Sequence, residues 1–268
     1  MSATNPARPR KPAARRGASV LRRGGLIALP WALIILAWYL VGRSGWINPA
    51  LIPSPQDVLK TFIVLMHGRL PQDIVASTQR VVIGVLLGVA VALPVGFLLG
   101  WYKGLGLFLD PVINFFRALP PIALIPLVIV YFGIGESAKI AILFYASFFA
   151  GGIVMYEGIA QISPLFVRVA RTLGASDLEI FLKVIVPLAI PHMLTALRVA
   201  LGVAWATLVA SELIAAHRGL GSLIENAASF FQLDTIYVGI ICIGVIALLM
   251  DLVLRLVARR LIAWQERI

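Results

Sequence analysis

The stretch SPLFVRVARTLGASDLEIFLKVIVPLAIP, residues 163–191, is the longest polar interruption in the second half of an otherwise apolar chain. It predicts two short helices that are joined at Gly174. Ser163 followed by proline is a favourable helix start, and glycine readily takes the left-handed conformation that ends a helix. Ser176, followed three residues later by Glu179, has the capping-box pattern that opens a second helix.

Both predicted helices carry an apolar face and therefore need a surface to dock on. In the first helix this face consists of Phe166, Val169, Ala170 and Leu173. In the second helix it consists of Leu178, Phe181, Leu182 and Ile185, with Lys183 on the other side. Pro187 and Pro191 are expected to end or kink the second helix. The pattern leaves two alternatives open: an interfacial element resting on lipid, or a surface that fits the groove of a partner.

The composition indicates a membrane protein. The chain has 268 residues, of which 60% are hydrophobic and 13% charged, and its mean hydropathy is +0.97. This apolar content is too high for a soluble domain and is typical of membrane-spanning segments. The net charge of +11 does not indicate nucleic-acid binding, because the cations are concentrated at the chain ends and in particular loops. Cys242 is the only cysteine, so it cannot form an internal disulfide.

Long apolar runs, four of them without any charge, predict six membrane-spanning helices and therefore an all-α fold. The predicted spans are residues 24–42, 81–102, 118–135 (with the helix beginning near Asp110), 140–156, 192–215 and 235–257. Residues 1–23 are basic and contain no acidic residue, and no small-residue cleavage site follows the first span. We therefore interpret the first span as uncleaved, with a disordered basic tail on the cytoplasmic side.

The distribution of cations predicts that both termini are cytoplasmic. Basic residues precede the first span, and others lie at or beyond the end of the last one: Arg255, Arg259, Arg260 and Arg267. Residues 43–79 then form the one long outer segment. Within it, Ser54 followed by proline predicts a helix start, and the amphipathic stretch to about Met66 is expected to lie along the outer membrane surface.

Small residues and prolines predict how the spans pack and bend. Two GxxxG pairs on the second span, Gly84/Gly88 and Gly96/Gly100, allow a neighbouring helix to approach closely. Prolines interrupt two central spans, at Pro94, Pro120, Pro121 and Pro126. The prolines indicate either ordinary kinks or helices that line a water-filled pathway, where freed carbonyl groups are satisfied.

Charges inside the predicted spans are costly in a bilayer, so each needs a partner or water. For Arg117, one interpretation is a cation on the path of an anionic substrate. We expect Arg198 to reach the inner interface by snorkelling. We expect Glu212 to be a structural partner of the loop that follows it, although a place on the substrate path is the alternative. Asp251 and Arg255 are four residues apart and are expected to pair.

The sequence contains none of the common motifs for ATP binding, metal binding or serine-based catalysis. There is no GxxxxGK[ST] loop for ATP, no HExxH or CxxC metal pattern, and no recognisable serine and histidine constellation. We therefore predict that the chain is not an enzyme and binds no cofactor itself.

The helix-pair loop resembles that of permease subunits of bacterial ABC importers, which have the pattern EAA, three residues, glycine, nine residues, then IxLP. With Gly174 aligned, Ala170 and Pro187 match, and Arg168 stands where that pattern has glutamate. The segment from Ala170 to Ser176, ARTLGAS, is similar to the corresponding segment in the branch of permeases that imports taurine, sulfonates and nitrate. Further segments look like taurine and sulfonate permeases: residues 117–121, 131–136, 211–216 and 218–221. The similarity runs from about residue 30 to the end.

The resemblance implies the type I, MetI-like ABC importer permease fold in the bacterial inner membrane. It implies that two copies form the pore and that two ATP-binding subunits hold ATP and Mg. It also implies that a periplasmic solute-binding protein delivers the substrate. The ATPase-coupling residues that it implies are Ala170, Gly174, Ala175, Ser176, Asp177, Leu178, Glu179, Phe181 and Pro187. The substrate-path candidates are Arg117, Pro120, Pro121 and Glu212.

The expected organisation follows from the spans and the resemblance together. The basic tail occupies residues 1–23, and the first span with the outer amphipathic segment occupies 24–72. The permease core occupies 73–257, with its coupling loop at 157–191, and a cytoplasmic tail occupies 258–268. The alternative from another functional class is a self-contained secondary transporter or channel, which inverted repeats or carboxylates near the bilayer midplane would favour. We find neither in the sequence.

Overall fold

The computed structural model describes residues 29–44, 51–215 and 217–262, and every regular element within these ranges is a helix. The helices are α1 (Leu29–Arg43), α2 (Pro55–Met66), α3 (Leu70–Trp101), α4 (Lys103–Ala118), α5 (Pro121–Phe132), α6 (Glu136–Ala160), α7 (Pro164–Thr172), α8 (Asp177–Ile180), α9 (Val186–Ala215), α10 (Leu220–Ser229) and α11 (Leu233–Leu261). A π-helical turn, Phe181–Ile185, connects α8 to α9. The predicted all-α fold is confirmed for these residues.

The chain divides into two compact units between Lys60 and Thr61. In the first unit, the Trp38 indole N–H donates a hydrogen bond to the Pro53 carbonyl oxygen at 3.1 Å. The helix α1 covers the later part of the predicted first span. The start of that span, residues 24–28, and the basic tail before it lie outside the described residues.

The second unit holds four helices that are long and apolar enough to cross a membrane: α3, α6, the continuous α8–α9 helix and α11. The predicted second, fourth, fifth and sixth spans are therefore confirmed as helices. However, α3 begins at Leu70, so residues 70–79, which we placed in the outer segment, belong to a spanning helix. The prediction stopped at Arg80 because a charge normally ends a span, but Arg80 is buried with charged partners.

The predicted third span is present as two helices, and it is interrupted at the prolines as expected. The helices α4 and α5 meet at 90°, and only together are they long and apolar enough to form a span. The break lies at Leu119 and Pro120, both of which have extended backbone conformations. A residue before proline is disfavoured in the α-helical region, and each of these two residues precedes a proline. The consecutive prolines thus turn the chain between the two helices.

The predicted GxxxG contacts are confirmed, and the partner helix is α6. A Cβ atom added to Gly88 would lie 2.6 Å from the Ser147 Cβ, and one added to Gly96 would lie 2.7 Å from the Gly152 carbonyl oxygen. These distances are too short for real side chains, so glycine permits this approach of the two backbones. Next to this contact lies a buried apolar cluster: Val81, Val85, Val89, Leu143, Ala200, Leu201, Ala204, Trp205 and Leu208.

Candidate functional site

The α7–α8 loop adopts the two-helix geometry predicted for it. The Ser163 side chain caps α7 by accepting a hydrogen bond from the Leu165 N–H at 3.3 Å. Gly174 has a φ of +79°, a left-handed conformation that other residues adopt only at a cost. In α8, the Ser176 N–H donates to the Glu179 carboxylate at 3.1 Å, and the Ser176 hydroxyl accepts from the Glu179 N–H at 3.4 Å. The capping box is therefore complete.

Ion pairs connect the two short helices to each other and to the following turn. The Arg171 guanidinium donates to the Asp177 carboxylate at 3.0 Å across the Gly174 turn. The Lys183 ammonium donates to the Glu179 carboxylate at 2.9 Å. Both pairs are exposed and individually weak. Together with the caps they favour one arrangement of the α7–α8 pair.

Most of the apolar face predicted for α7 points away from the protein. Leu173 is 82% exposed, and Leu165, Phe166 and Val169 are exposed as well. Ala170 instead packs against a buried cluster formed by Met155, Ile159, Ile180, Ile185 and Ala189. A single helix thus presents an outward apolar surface while one edge holds it to the bundle.

The apolar face predicted for the second helix divides between the surface and the interior of the bundle. Leu178 is 67% exposed and Leu182 is exposed too, whereas Ile185 is buried together with Ile180. The two buried residues are five apart, which matches the i→i+5 hydrogen bonds of the π-helical turn Phe181–Ile185.

Two further coupling candidates, Phe181 and Pro187, lie in or next to the π-helical turn. The Phe181 ring meets the Phe97 ring of α3 edge-on, with 4.7 Å between the ring centroids. Pro187 is the second residue of α9, two residues after the π-helical turn, and Pro191 also lies inside α9. Neither proline ends the helix, because the chain remains helical from Asp177 to Leu213. Of the two alternatives for these prolines, an end of the helix is excluded and a kink is left.

The remaining path candidates Arg117, Pro120 and Pro121 lie together at the 90° break between α4 and α5. Arg117 is exposed, and its guanidinium has no hydrogen-bond or ion-pair partner among the residues that the structure describes. The Tyr145 hydroxyl of α6 donates to the Phe116 carbonyl oxygen and so satisfies the end of α4. The break therefore places Arg117, which is unpaired among the described residues, beside the turn of the backbone at Pro120 and Pro121.

Glu212 lies at the centre of a buried polar network that joins α3, α9 and the start of α10. It is 1% exposed, and it accepts hydrogen bonds from the Ser77 hydroxyl at 2.8 Å, the Arg80 guanidinium at 2.5 Å and the Gly221 N–H at 2.8 Å. The loop close to Glu212 contains Gly219, where an added Cβ would lie 2.5 Å from the carboxylate. Of the two interpretations left open for Glu212, this geometry favours the structural partner of the loop.

Arg80 extends the network to α6 and to the loop. Its guanidinium donates two hydrogen bonds to Glu136 at 2.6 Å each, and one to the Arg218 carbonyl oxygen at 2.7 Å. On the same face of α3, Asp73 accepts from the Gly219 N–H at 2.9 Å. Sequence reasoning missed these residues. The signal was the helical spacing of positions 73, 77 and 80, which place three polar side chains on one face of α3.

A second polar contact joins α9 to α11. The predicted Asp251–Arg255 pair is confirmed at 2.6 Å. Arg198 also donates to the Asp251 carboxylate, at 2.8 Å, so its charge is met by a neighbouring helix. The pair does not test the expectation that Arg198 snorkels to the inner interface, which stays a prediction. Among the described residues, no group of histidine, cysteine or carboxylate side chains could hold a metal ion.

A bundle of long apolar helices, one span broken at consecutive prolines and an outward-facing amphipathic helix pair together define a multi-pass membrane protein with an exposed surface for a partner. Residues 84–263 match the family described as binding-protein-dependent transport system inner membrane component, and the chain belongs to it. A structure of the MetNI methionine ABC transporter in an inward-facing conformation has the same fold. Its TM-score is 0.66 at 20% identity, and the match covers 73% of this chain and 97% of that one.

Two relatives support the same assignment. A probable ABC transporter permease protein of Brucella abortus (strain 2308) is 45% identical over 85% of this chain and 94% of its own length. The taurine transport system permease protein TauC of Escherichia coli (strain K12) is 38% identical over 83% of each chain. The chain is thus an ABC importer permease of the type I fold, a multi-pass membrane protein and not itself an enzyme. Nothing in these matches supports the secondary transporter or channel alternative.

Proposed function

We propose that this chain forms the translocation path of an ATP-driven importer for a small sulfonate such as taurine. The ATP-binding subunits engage the α7–α8 pair. Two copies of the chain form the pore, a periplasmic solute-binding protein delivers the sulfonate, and both termini are cytoplasmic. The substrate class is supported by the 38% identity to TauC, and nitrate is the competing small anion.

The observation that carries this proposal is the outward apolar surface of the α7–α8 pair. Leu173 and Leu178 are 82% and 67% exposed, yet they belong to a short segment that caps and ion pairs hold in one geometry. Apolar anchors of this kind commonly contribute about 2 kcal/mol or more each to a protein interface when they enter a partner's groove. A preordered helix pair also loses little conformational entropy on binding. Closure of the ATPase subunits then moves α8, and with it the continuous α8–α9 helix, as one body.

Site-specific crosslinking tests this assignment. In a Cys242→Ala background, which leaves the chain without other cysteines, Leu178→Cys carries a photoreactive crosslinker in the assembled transporter. Leu248→Cys on α11 is the matched control, since Leu248 is also exposed but lies within a span. We expect Leu178→Cys to crosslink to the ATPase subunit and Leu248→Cys to crosslink to lipid. Lipid adducts at both positions would instead assign α8 to the membrane surface.

Copurification gives a second test of the same surface. Leu178→Ala and Gly174→Val should leave the permease in the membrane but lower the ATPase recovered with it. Leu178→Ala removes an anchor, and Gly174→Val places a β-branched residue at a φ of +79°. Phe181→Ala should also lower ATPase recovery, partly because α8 loses its contact with Phe97. Leu248→Ala is the control and should change nothing.

We propose that Arg117 meets the sulfonate group of the substrate at the break between α4 and α5. Its guanidinium has no partner among the described residues, and the family member TauC is named for taurine, whose sulfonate group is anionic. Arg117→Ala should lower uptake of radiolabelled taurine while ATPase recovery stays unchanged. Retention of much of the activity by Arg117→Lys would favour a point charge over bidentate recognition. Uptake at the wild-type rate in Arg117→Ala would remove Arg117 from the path.

A further inference from the structure

A cleft of about 560 Å³ lies where α3, α4, α6 and α7 come together, at the end of the bundle that carries the α7–α8 pair. It is separate from the break at Arg117 and from the outward surface of Leu173 and Leu178. The residues that matter for its chemistry are Leu99, Lys103, Leu107, Tyr156, Ile159 and Arg168. None of them has a role in the network around Glu212.

The cleft has two chemical zones. Leu99 belongs to α3 and both Tyr156 and Ile159 belong to α6, so its apolar wall is formed by the last turns of two spanning helices. The cations lie just beyond those spans. Lys103 follows the end of α3 at Trp101, and Arg168 lies on α7 after the end of α6 at Ala160. The apolar wall therefore lies at the edge of the hydrocarbon layer, and the cations lie at interfacial depth.

The two cations at this cleft are unneutralised, in contrast to their neighbours in the loop. Arg171 and Lys183 each pair with a carboxylate. Lys103 and Arg168 are exposed, and neither side chain has an acceptor among the described residues. No carboxylate lines the cleft in this part of the chain. The site therefore offers two free positive charges beside an apolar wall.

We propose that this cleft binds an acidic phospholipid. Its phosphate group contacts Lys103 and Arg168, and an acyl chain lies along Leu99 and Ile159. A phospholipid has an anionic head and an apolar tail at the same two depths as the two zones of the cleft. Basic pockets between spanning helices are known to suit acidic head groups. A small soluble anion has no apolar part that could pack against the apolar wall.

This lipid site and the proposed ATPase surface use different faces of α7. Pro164 and Arg168 are four residues apart and share the face that lines the cleft. Phe166 is two residues from both, which at about 100° per residue places it on roughly the opposite side of the helix. Phe166 and Leu173 can therefore contact a protein while Arg168 contacts lipid, so the proposal does not depend on the proposed function.

Lipid binding to the purified full-length permease in detergent tests the proposal, with native mass spectrometry as the readout. The probes are dioleoylphosphatidylglycerol, which is acidic, and dioleoylphosphatidylcholine, which has no net charge. We expect tighter binding of phosphatidylglycerol. The double variant Lys103→Gln/Arg168→Gln should weaken that binding by about 30-fold, since each basic residue near an anionic lipid is worth about fivefold in affinity. The single variants Lys103→Gln and Arg168→Gln should each show about fivefold weakening.

The matched control is Arg259→Gln/Arg260→Gln, which removes two exposed cations from the end of α11 without touching the cleft. It should bind phosphatidylglycerol as the wild type does. Equal loss in both double variants would mean general charge attraction and would overturn the proposal. Equal binding of the two lipids by the wild type would do so as well. Displacement of phosphatidylglycerol by millimolar inorganic phosphate would assign the cations to a soluble anion and would also overturn it.

Two further measurements keep folding and partner binding apart from lipid binding. If the double variant melts at a lower temperature than the wild type, the single variants decide, each against Arg260→Gln. ATPase copurification should be unchanged in the double variant, because Phe166 and Leu173 are intact. A double variant that loses the ATPase and keeps phosphatidylglycerol binding would show that Lys103 and Arg168 face the partner subunit, which contradicts the proposal.

Discussion

The substitution Arg80→Met should destabilise the permease more than the loss of any exposed cation. Arg80 and Glu212 are 5% and 1% exposed, and 2.5 Å separates their guanidinium nitrogen and carboxylate oxygen. Methionine fills much of the same space but donates no hydrogen bond. Glu212 would keep its bonds from Ser77 and Gly221 while losing the only cation paired with it among the described residues.

The size of the expected destabilisation depends on how deeply each of the two carboxylate partners of Arg80 is buried. Removing one partner of a buried ion pair costs about 3–5 kcal/mol, because the other charge remains buried without compensation. The contact with Glu136 adds little, about 1 kcal/mol or less, because the Glu136 side chain is 57% exposed and still pairs with Lys139. We therefore expect a loss of about 4 kcal/mol in the free energy of unfolding, most of it from Glu212.

Titration with sodium dodecyl sulfate in mixed micelles, followed by circular dichroism, measures this difference. Arg255→Met is the matched control, since Arg255 also pairs with a carboxylate but is 55% exposed, and it should cost less than about 1 kcal/mol. Adding Glu212→Gln to Arg80→Met removes the stranded charge but keeps an acceptor for Ser77, so much of the loss should be recovered. Equal effects of Arg80→Met and Arg255→Met, or no recovery in the double variant, would refute this account of the network.

Two other predictions concern helix packing and topology. Gly88→Leu should prevent close packing of α3 on α6 and lower the yield of folded permease, because an added Cβ would lie 2.6 Å from the Ser147 Cβ, whereas Gly104→Leu has open space and should be tolerated. Normal yield of Gly88→Leu in fluorescence-detected size-exclusion chromatography would contradict this packing. Reporter fusions at Gln265 and near Arg16 should both report cytoplasm, and signals from opposite sides would mean an odd number of spans.

Features that depend on neighbouring residues in the chain could be predicted from the sequence. The cap at Ser163, the left-handed Gly174 and the Ser176–Glu179 capping box are local hydrogen-bonding patterns, and each lies where expected. The Asp251–Arg255 ion pair could also be predicted, because its two residues are about one helical turn apart in the chain. The existence of the long apolar helices followed from hydropathy for a similar reason, since composition within one segment decides it.

Features that depend on contacts between distant segments could not be predicted in this way. From the sequence alone, Arg80 indicates the end of a span, because a charge is costly inside a bilayer. Its partners Glu136 and Glu212 lie on other helices, so the sequence near Arg80 does not show that its charge is paired. Arg198 likewise pairs with Asp251 across the bundle. The π-helical turn Phe181–Ile185 also has no sequence signature comparable to a helix cap.

Transport by purified components in proteoliposomes tests most directly whether this permease imports only when an ATPase drives it through α7–α8. With the ATPase and solute-binding protein present, the wild-type permease should take up taurine only when ATP is supplied. Gly174→Val should lose this uptake while Gly104→Val, at an open position on α4, retains it. Taurine uptake by the permease alone, driven by an ion gradient and unaffected by Gly174→Val, would contradict ATP-driven import.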